Sequence, residues 1–336
     1  LSRNEDLYFE EPQIFQKVED VKVAPNNTVT SLQHQHREKR REGVLDYYAV
    51  TMQNNAQYDL VKATPRNPET EVGVTATTAW LTGTNGLNKR NLIAQMNAGM
   101  PASLLSTARQ AGYKPSLEQA AHNQLAIMRT LADNDFSLDP QNITISGISR
   151  GSMVGIGMNA LAERHDWNVM YSDLTVPCFP DKLNPKEFKK YSKLLGSEVL
   201  ALVGIFSIPP STLRHYAGTV DLSRSGLRYA VNTIGELTSG NAGKLADSMP
   251  EDTSAYILGF EGDVMSDIHK YEERLSNHPN IVFDTREKGA HAAFLHEDIH
   301  QEYRKRIARL PHEIEQAKSN QRTKLGRASI ERLVAV

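Results

Sequence analysis

The segment Gly147-Ile148-Ser149-Arg150-Gly151 limits what this chain can become more than any other part of it. It follows a short β-rich run, Asn142-Ile143-Thr144-Ile145-Ser146, and opens onto Ser152 to Leu161, a stretch of small residues with helical character. A Gly-x-Ser-x-Gly pattern arises by accident only about 0.1 times in a chain of ordinary composition and this length. In this setting it specifies a sharp turn from a strand into a helix. A serine there is backbone-strained, and a Cβ at either flank would collide with the neighbouring helix or strand, so glycine stands at both positions.

Around that turn, strand-like and helix-like segments alternate, the pattern of a mostly parallel sheet with helices on its faces. Val74 to Leu81 reads as a buried strand running into the loop Thr82-Gly83-Thr84-Asn85-Gly86, and Val169 to Leu174, Ser254 to Phe260 and Asn280 to Asp284 read as later strands. Pro101 to Ala111 and Ser116 to Asp133 read as helices. In the second, Leu117, Ala120, Ala121, Leu125, Met128 and Leu131 recur at three- and four-residue steps, and Ser116 with Gln119 is placed as a capping box. Nearer the start, Tyr47 to Met52 and Tyr58 to Lys62 predict a β-hairpin turning through Gln53-Asn54-Asn55-Ala56. Pro177 to Pro250 carries helical patterns and no convincing strand, and it is too long for an ordinary connection, so it reads as a helical cap over one end of the sheet. His296 to Lys318 reads as an amphipathic helix bent at Pro311. The expected division is an N-terminal extension over 1–46, a core over 47–176 and 251–318, a cap over 177–250 and a tail over 319–336.

Bulk properties narrow the function. Hydrophobic residues at 39% supply a large core, and a formal net charge of -2 creates no field to draw in nucleic acid or an anionic membrane. A small or neutral molecule is the default substrate. The basic stretch His34 to Arg41 is interrupted by Glu38, has no interleaved aromatics and lacks a third metal ligand at a useful spacing, so it reads as a solvated polar face. Cys178 is the single cysteine, which excludes an intramolecular disulfide, and it reads as a small buried apolar residue. The longest apolar run, Val199 to Ile208, is about half of the ~20 residues a membrane span needs, so stable insertion is not expected. The chain opens Leu1-Ser2-Arg3-Asn4-Glu5-Asp6 with no apolar signal core, which favours a cytoplasmic location over secretion with a removed leader. The oligomeric state stays open.

A serine hydroxyl is a weak nucleophile at neutral pH, so Ser149 needs a base, and the base needs an orienting acid. His291 is the first candidate for the base, because Gly289-Ala290-His291 follows the last predicted strand on a short loop; His296 is the rival, and His300 falls with it on the next helix. Asp263 is the candidate acid, on the loop after the strand ending at Phe260, with Glu261 next and Asp173 a third choice. Acyl transfer also needs donors for the developing oxyanion. The N–H of Arg150, the residue after the nucleophile, is the first, and the amide of Thr84 on the loop after Leu81 is the second.

With its serine elbow, glycine-bearing oxyanion loop and order of serine, acid and histidine, the stretch from about Tyr47 to Leu310 resembles the α/β-hydrolase superfamily. That resemblance implies the α/β-hydrolase fold: a central, mostly parallel sheet flanked by helices, here with a helical cap insertion. It also implies hydrolysis of an ester, thioester or amide through an acyl-enzyme, with neither cofactor nor metal. Two departures stand out. Thr82 replaces the frequent histidine before the oxyanion-loop glycine, and Arg150 is bulky and charged beside the nucleophile, where it either binds an acidic substrate group or pairs with a surface carboxylate. In the cap, Leu202 and Phe206 belong to a dense apolar group that lines an acyl pocket or packs a helix face. The expected partner is a small-molecule ester or acyl substrate. A peptidase or amidase on the same triad, and a binding protein on a hydrolase scaffold, are the alternatives.

Overall fold

The computed structural model describes residues 28–67, 77–81, 89–97, 99, 102–107, 116–134, 143–178, 180–182, 241–261, 263 and 266–287, together with 305, 306, 309 and 319. Strands β1 (Val29–Lys39), β2 (Gly43–Met52), β3 (Gln57–Pro65), β4 (Thr77–Leu81), β5 (Ala102–Thr107), β6 (Ile143–Ile148), β7 (Val169–Thr175), β8 (Ala255–Phe260) and β9 (Ile281–Arg286) form one sheet in the order β1-β2-β3-β5-β4-β6-β7-β8-β9. β1 to β3 are an antiparallel meander, β3 joins β5 antiparallel, and every later pairing is parallel. The predicted hairpin is the β2–β3 pair, and the strands expected around Ser149 lie where the sequence pattern put them.

Helices α1 (Lys89–Asn97), α2 (Leu117–Asp133), α3 (Arg150–Leu161), α4 (Asn241–Ala246) and α5 (Ile268–Arg274) accompany the sheet. α2 to α5 bury their apolar residues in one cluster with alternate strand positions such as Tyr58, Leu60, Ile143, Ile145, Leu174 and Ile257. Leu45, Val61 and Ala63 of the strands and Leu92 and Met96 of α1 are buried outside that cluster, so the other face of the sheet is covered as well. Parallel strands require cover on both faces.

Half of the expected capping box forms at α2. Ser116 Oγ accepts from the Gln119 N–H at 3.0 Å, but the Gln119 side chain donates forward to Asn123 Oδ1 at 2.9 Å instead of back to Ser116. Asn123 in turn donates to the Tyr58 hydroxyl at 2.6 Å, tying α2 to β3. α3 is buried at all but one of its positions, which its small residues permit: a Cβ on Gly157 would stand 3.0 Å from Ala121 Cβ and 3.3 Å from Leu245 Cδ1.

Three expectations are corrected. Pro101 to Ala111 is not helical where described, because Ala102–Thr107 is strand β5, paired with β3 on one side and β4 on the other. Its Ala and Leu residues favour a helix locally, but a central slot bonded on both edges outweighs a propensity worth tenths of a kcal/mol per residue. The basic stretch is solvated on one side only: Gln35, Lys39 and Arg41 are exposed while His34 and Glu38 are buried. As far as Lys39 it lies in β1, where Asp46 holds both His34 and Arg37 (3.1 and 2.7 Å), and Glu38 accepts from Tyr47 at 2.8 Å and pairs with Arg40. His34, Glu38 and Asp46 are all buried. The sheet therefore begins at Val29, inside the stretch 1–46 that the sequence set apart as an extension. α1 carries no strong periodic signal and was not anticipated.

The expected cap block also meets the core at its margins. α4 lies within 177–250, yet Ala242, Leu245 and Ala246 belong to the main core cluster. The Gly243 N–H donates to the Pro180 carbonyl at 2.9 Å, and Arg274 of α5 pairs with Asp181 at 2.5 Å and with Asp247 at 2.6 Å. Pro180 and Asp181 therefore lie beside Gly243 and Asp247. Residues 183–240 lie outside the described residues. So does most of the predicted helix 296–318, of which 305, 306 and 309 are described and helical. Among the described residues no helix is long and apolar enough to cross a membrane.

Candidate active site

Parallel pairing brings the carboxyl ends of β4, β6, β7, β8 and β9 to one edge of the sheet. Leu81 is level with Gly147, Ile148 with Thr175, Thr175 with Leu258, and Phe260 with Arg286. Ser149 leaves that edge directly after β6 and Asp263 three residues after β8, and β4 and β9 end there at Leu81 and Arg286. Ligands of open α/β sheets bind outside the carboxyl ends of the strands.

Ser149 is the residue at which the chain turns from β6 into α3, with φ 55 and ψ -123. A left-handed φ is costly for any side-chain-bearing residue. The turn is held from two sides. The Ser149 N–H donates to the Thr175 carbonyl at 2.8 Å, and Ser152 bridges the same residue, its Oγ donating to the Thr175 carbonyl at 2.7 Å and accepting the Thr175 N–H at 3.0 Å. A serine preceding a helix ordinarily turns its hydroxyl back onto the first-turn amides. Ser149 makes no such cap; its Oγ lies instead 3.4 Å from Cys178 Sγ.

Arg150 opens α3, so its N–H is one of the first-turn amides that the helical ladder does not use. Arg150 is buried, 5% exposed. Asp263 is buried at 6% exposure; its N–H donates to the Phe260 carbonyl at 3.0 Å and its Oδ1 accepts from the Ser266 N–H at 3.1 Å, which fixes the carboxyl in a tight turn. Glu261 is exposed. Asp173 sits inside β7, level with Ser146 and Tyr256, and its Oδ2 accepts from Arg306 Nε at 3.3 Å while the guanidinium stacks 4.7 Å over the Tyr256 ring. His291 and its rival His296, Thr84, Leu202 and Phe206 lie outside the described residues. No cluster of three metal-ligating side chains occurs among the described residues.

Cys178 is the residue whose place at this site the sequence reading missed. It is buried as expected, but beside Ser149. The available signal was its position three residues past β7, the strand adjoining the one that delivers Ser149.

No family model and no curated protein matches the chain. Solved structures do: brefeldin A esterase, a bacterial homologue of human hormone-sensitive lipase, with a TM-score of 0.55, 13% identity and coverage of 83% of this chain and 79% of the other. Carboxyl esterase 2 from the mycorrhizal fungus Tuber melanosporum (TM-score 0.51, 13% identity, 83% and 87% covered) and a thermostable esterase from Pseudomonas putida (0.51, 13%, 82% and 83%) are similar too. The chain has the α/β-hydrolase fold.

Proposed function

We propose that the protein is a serine hydrolase that cleaves carboxylic esters. Ser149 Oγ attacks the substrate carbonyl carbon; His291 takes the hydroxyl proton and passes it to the departing alcohol, leaving an ester on Ser149, and water activated by the same imidazole then releases the acid. Asp263 holds His291 in the right orientation and stabilises its charged form. The amides of Arg150 and Thr84 stabilise the oxyanion of each tetrahedral intermediate. Residues 183–240, between the joined points at Pro180 and Gly243, serve as the cap, with Leu202 and Phe206 lining the acyl pocket.

One observation carries this reading. Ser149 holds a strained left-handed turn, stapled to β7, and its hydroxyl does not cap the helix behind it. Strain of ~1–3 kcal/mol persists where the surroundings over-determine it, and it clusters at working sites. The buried Asp263 at the same sheet edge and the esterases of like fold add support.

The test is a fluorophosphonate probe followed by hydrolysis of matched p-nitrophenyl esters and anilides. Labelling confined to Ser149, with ester turnover that Ser149→Ala abolishes, is the expected result. Preference for the anilides would make the protein an amidase, and an unlabelled Ser149 in folded protein would end the proposal.

A further inference from the structure

Ser152 ties both peptide groups of Ser149. Its N–H donates to the Ser149 carbonyl at 2.9 Å, and the Ser149 N–H donates at 2.8 Å to the Thr175 carbonyl, which the Ser152 hydroxyl also reaches at 2.7 Å. Ser149, Thr175 and Ser152 thus close a ring of hydrogen bonds around the turn. The Ser152 side chain is fully buried and spends both capacities of its hydroxyl on Thr175, donating to the carbonyl and accepting the N–H at 3.0 Å. Burying a hydroxyl costs free energy unless bonds compensate, and alanine is the better helix former, so packing alone gives no reason for serine here.

Ser152 is the third residue of α3, the place from which a side chain ordinarily reaches back to the amide before the helix. It turns to Thr175 instead, and the Ser149 hydroxyl does not cap the helix either. Bonds to one strand residue therefore stand where a cap would be. Thr175 is itself anchored on its far side: it is level with Leu258 of β8, and the next residue, Val176, bends away at φ 47 with its N–H on the Leu258 carbonyl at 2.7 Å.

We propose that Ser152 is a positioning residue for Ser149: acting through Thr175, its hydroxyl keeps the turn at φ 55 and so fixes the direction in which Ser149 Oγ leaves the backbone. The inference rests on Ser149 being the nucleophile. The Cα–Cβ bond points where the backbone dihedrals send it, and a turn that relaxes toward an ordinary φ swings Oγ off the line of attack. Ser152 is out of a substrate's reach, so its loss acts on rate and not on binding.

The experiment compares the parent with S152A, S152T and S152V, well below the melting temperature of each. It measures the rate of Ser149 phosphonylation by a fluorophosphonate, and kcat and KM on p-nitrophenyl acetate per labelled site. S152A is expected to label and turn over about tenfold more slowly with KM nearly unchanged. S152T keeps the hydroxyl and S152V has the same shape without it, so the threonine variant should exceed the valine variant by about the same factor, whatever the added methyl does to packing. Equal rates in S152T and S152V, an S152A that labels at the parent rate, or a loss carried by KM overturns the role of Ser152. So does a set of three variants none of which folds, since the hydroxyl would then be a requirement of the fold and not of the reaction. An unlabelled Ser149 in the folded parent overturns the underlying reading, and this one with it.

Discussion

A Cβ built on Gly147 stands 2.8 Å from both the carbonyl carbon and the oxygen of Gly151, and 2.8 Å from Ser152 Cα. All three atoms are backbone, so none can swing aside. Gly147→Ala is expected to cost at least about 3 kcal/mol and to abolish phosphonate labelling of Ser149. Gly157→Ala, whose new methyl meets side chains at 3.0 and 3.3 Å and backbone only at an ordinary 3.8 Å, should cost about 1 kcal/mol and keep turnover. Urea denaturation of the two variants beside the parent checks both.

In its proposed role Ser149 is expected to set activity against stability. Glycine tolerates φ 55 without strain, so Ser149→Gly should be about 1 kcal/mol more stable than the parent after glycine's extra unfolded-state entropy is deducted, while turnover disappears. Ser149→Ala keeps the Cβ and should gain much less. If the two variants unfold at the same urea concentration, the turn at Ser149 is not strained.

The Asp173–Arg306 pair ties the C-terminal part of the chain to the middle of the sheet. Their side chains are 1% and 14% exposed, and Asp173 Oδ1 has no hydrogen-bond partner among the described residues. Removing Arg306 leaves a buried carboxylate uncompensated, so Arg306→Met should destabilise by about 3 kcal/mol or more. Adding Asp173→Leu should return part of that loss. A double-mutant cycle in which the two changes simply add would show that the charges do not interact.

His122 and His165 share a 2.7 Å hydrogen bond between Nδ1 and Nε2, joining α2 to the 3₁₀ turn at Ala162–His165. One ring nitrogen must be bare to accept. Burial, then His122 and Arg129, pushes His165 down to about 4, against the pull of Asp166; burial also lowers His122, with Glu118 opposing and Arg164 assisting. The folded state therefore binds fewer protons than the unfolded one below pH ~6.5. The pair's contribution should be complete above that pH and decline steadily toward pH 4. In His165→Asn the same stretch of the stability–pH curve should flatten, as denaturation at half-unit pH steps would reveal.

Much of the site's framework was legible in the residues because each local signal agreed with its surroundings. Gly147 to Gly151 had a β-rich run before it and a small-residue helix after it, and the strands ending at Leu81, Thr175 and Phe260 were readable from composition alone. Ala102–Thr107 was misread because its Ala and Leu residues carry helical propensity, while the pairing that overrides it comes from β3 and β4, remote in sequence. His34 to Arg41 misled for a related reason: its charges are satisfied by Asp46 and Tyr47 across a strand pair that local polarity conceals. The approach of Cys178 to Ser149 depends on the sideways register of β6 with β7, which no single segment encodes.

The joined points at Pro180 and Gly243 close a loop in the chain, by a hydrogen bond and by one guanidinium gripping Asp181 and Asp247. The entropy of closing such a loop grows by only about 0.6 kcal/mol for each doubling of its length. Lengthening or shortening the sequence between the two points is therefore expected to change the cost of closure little.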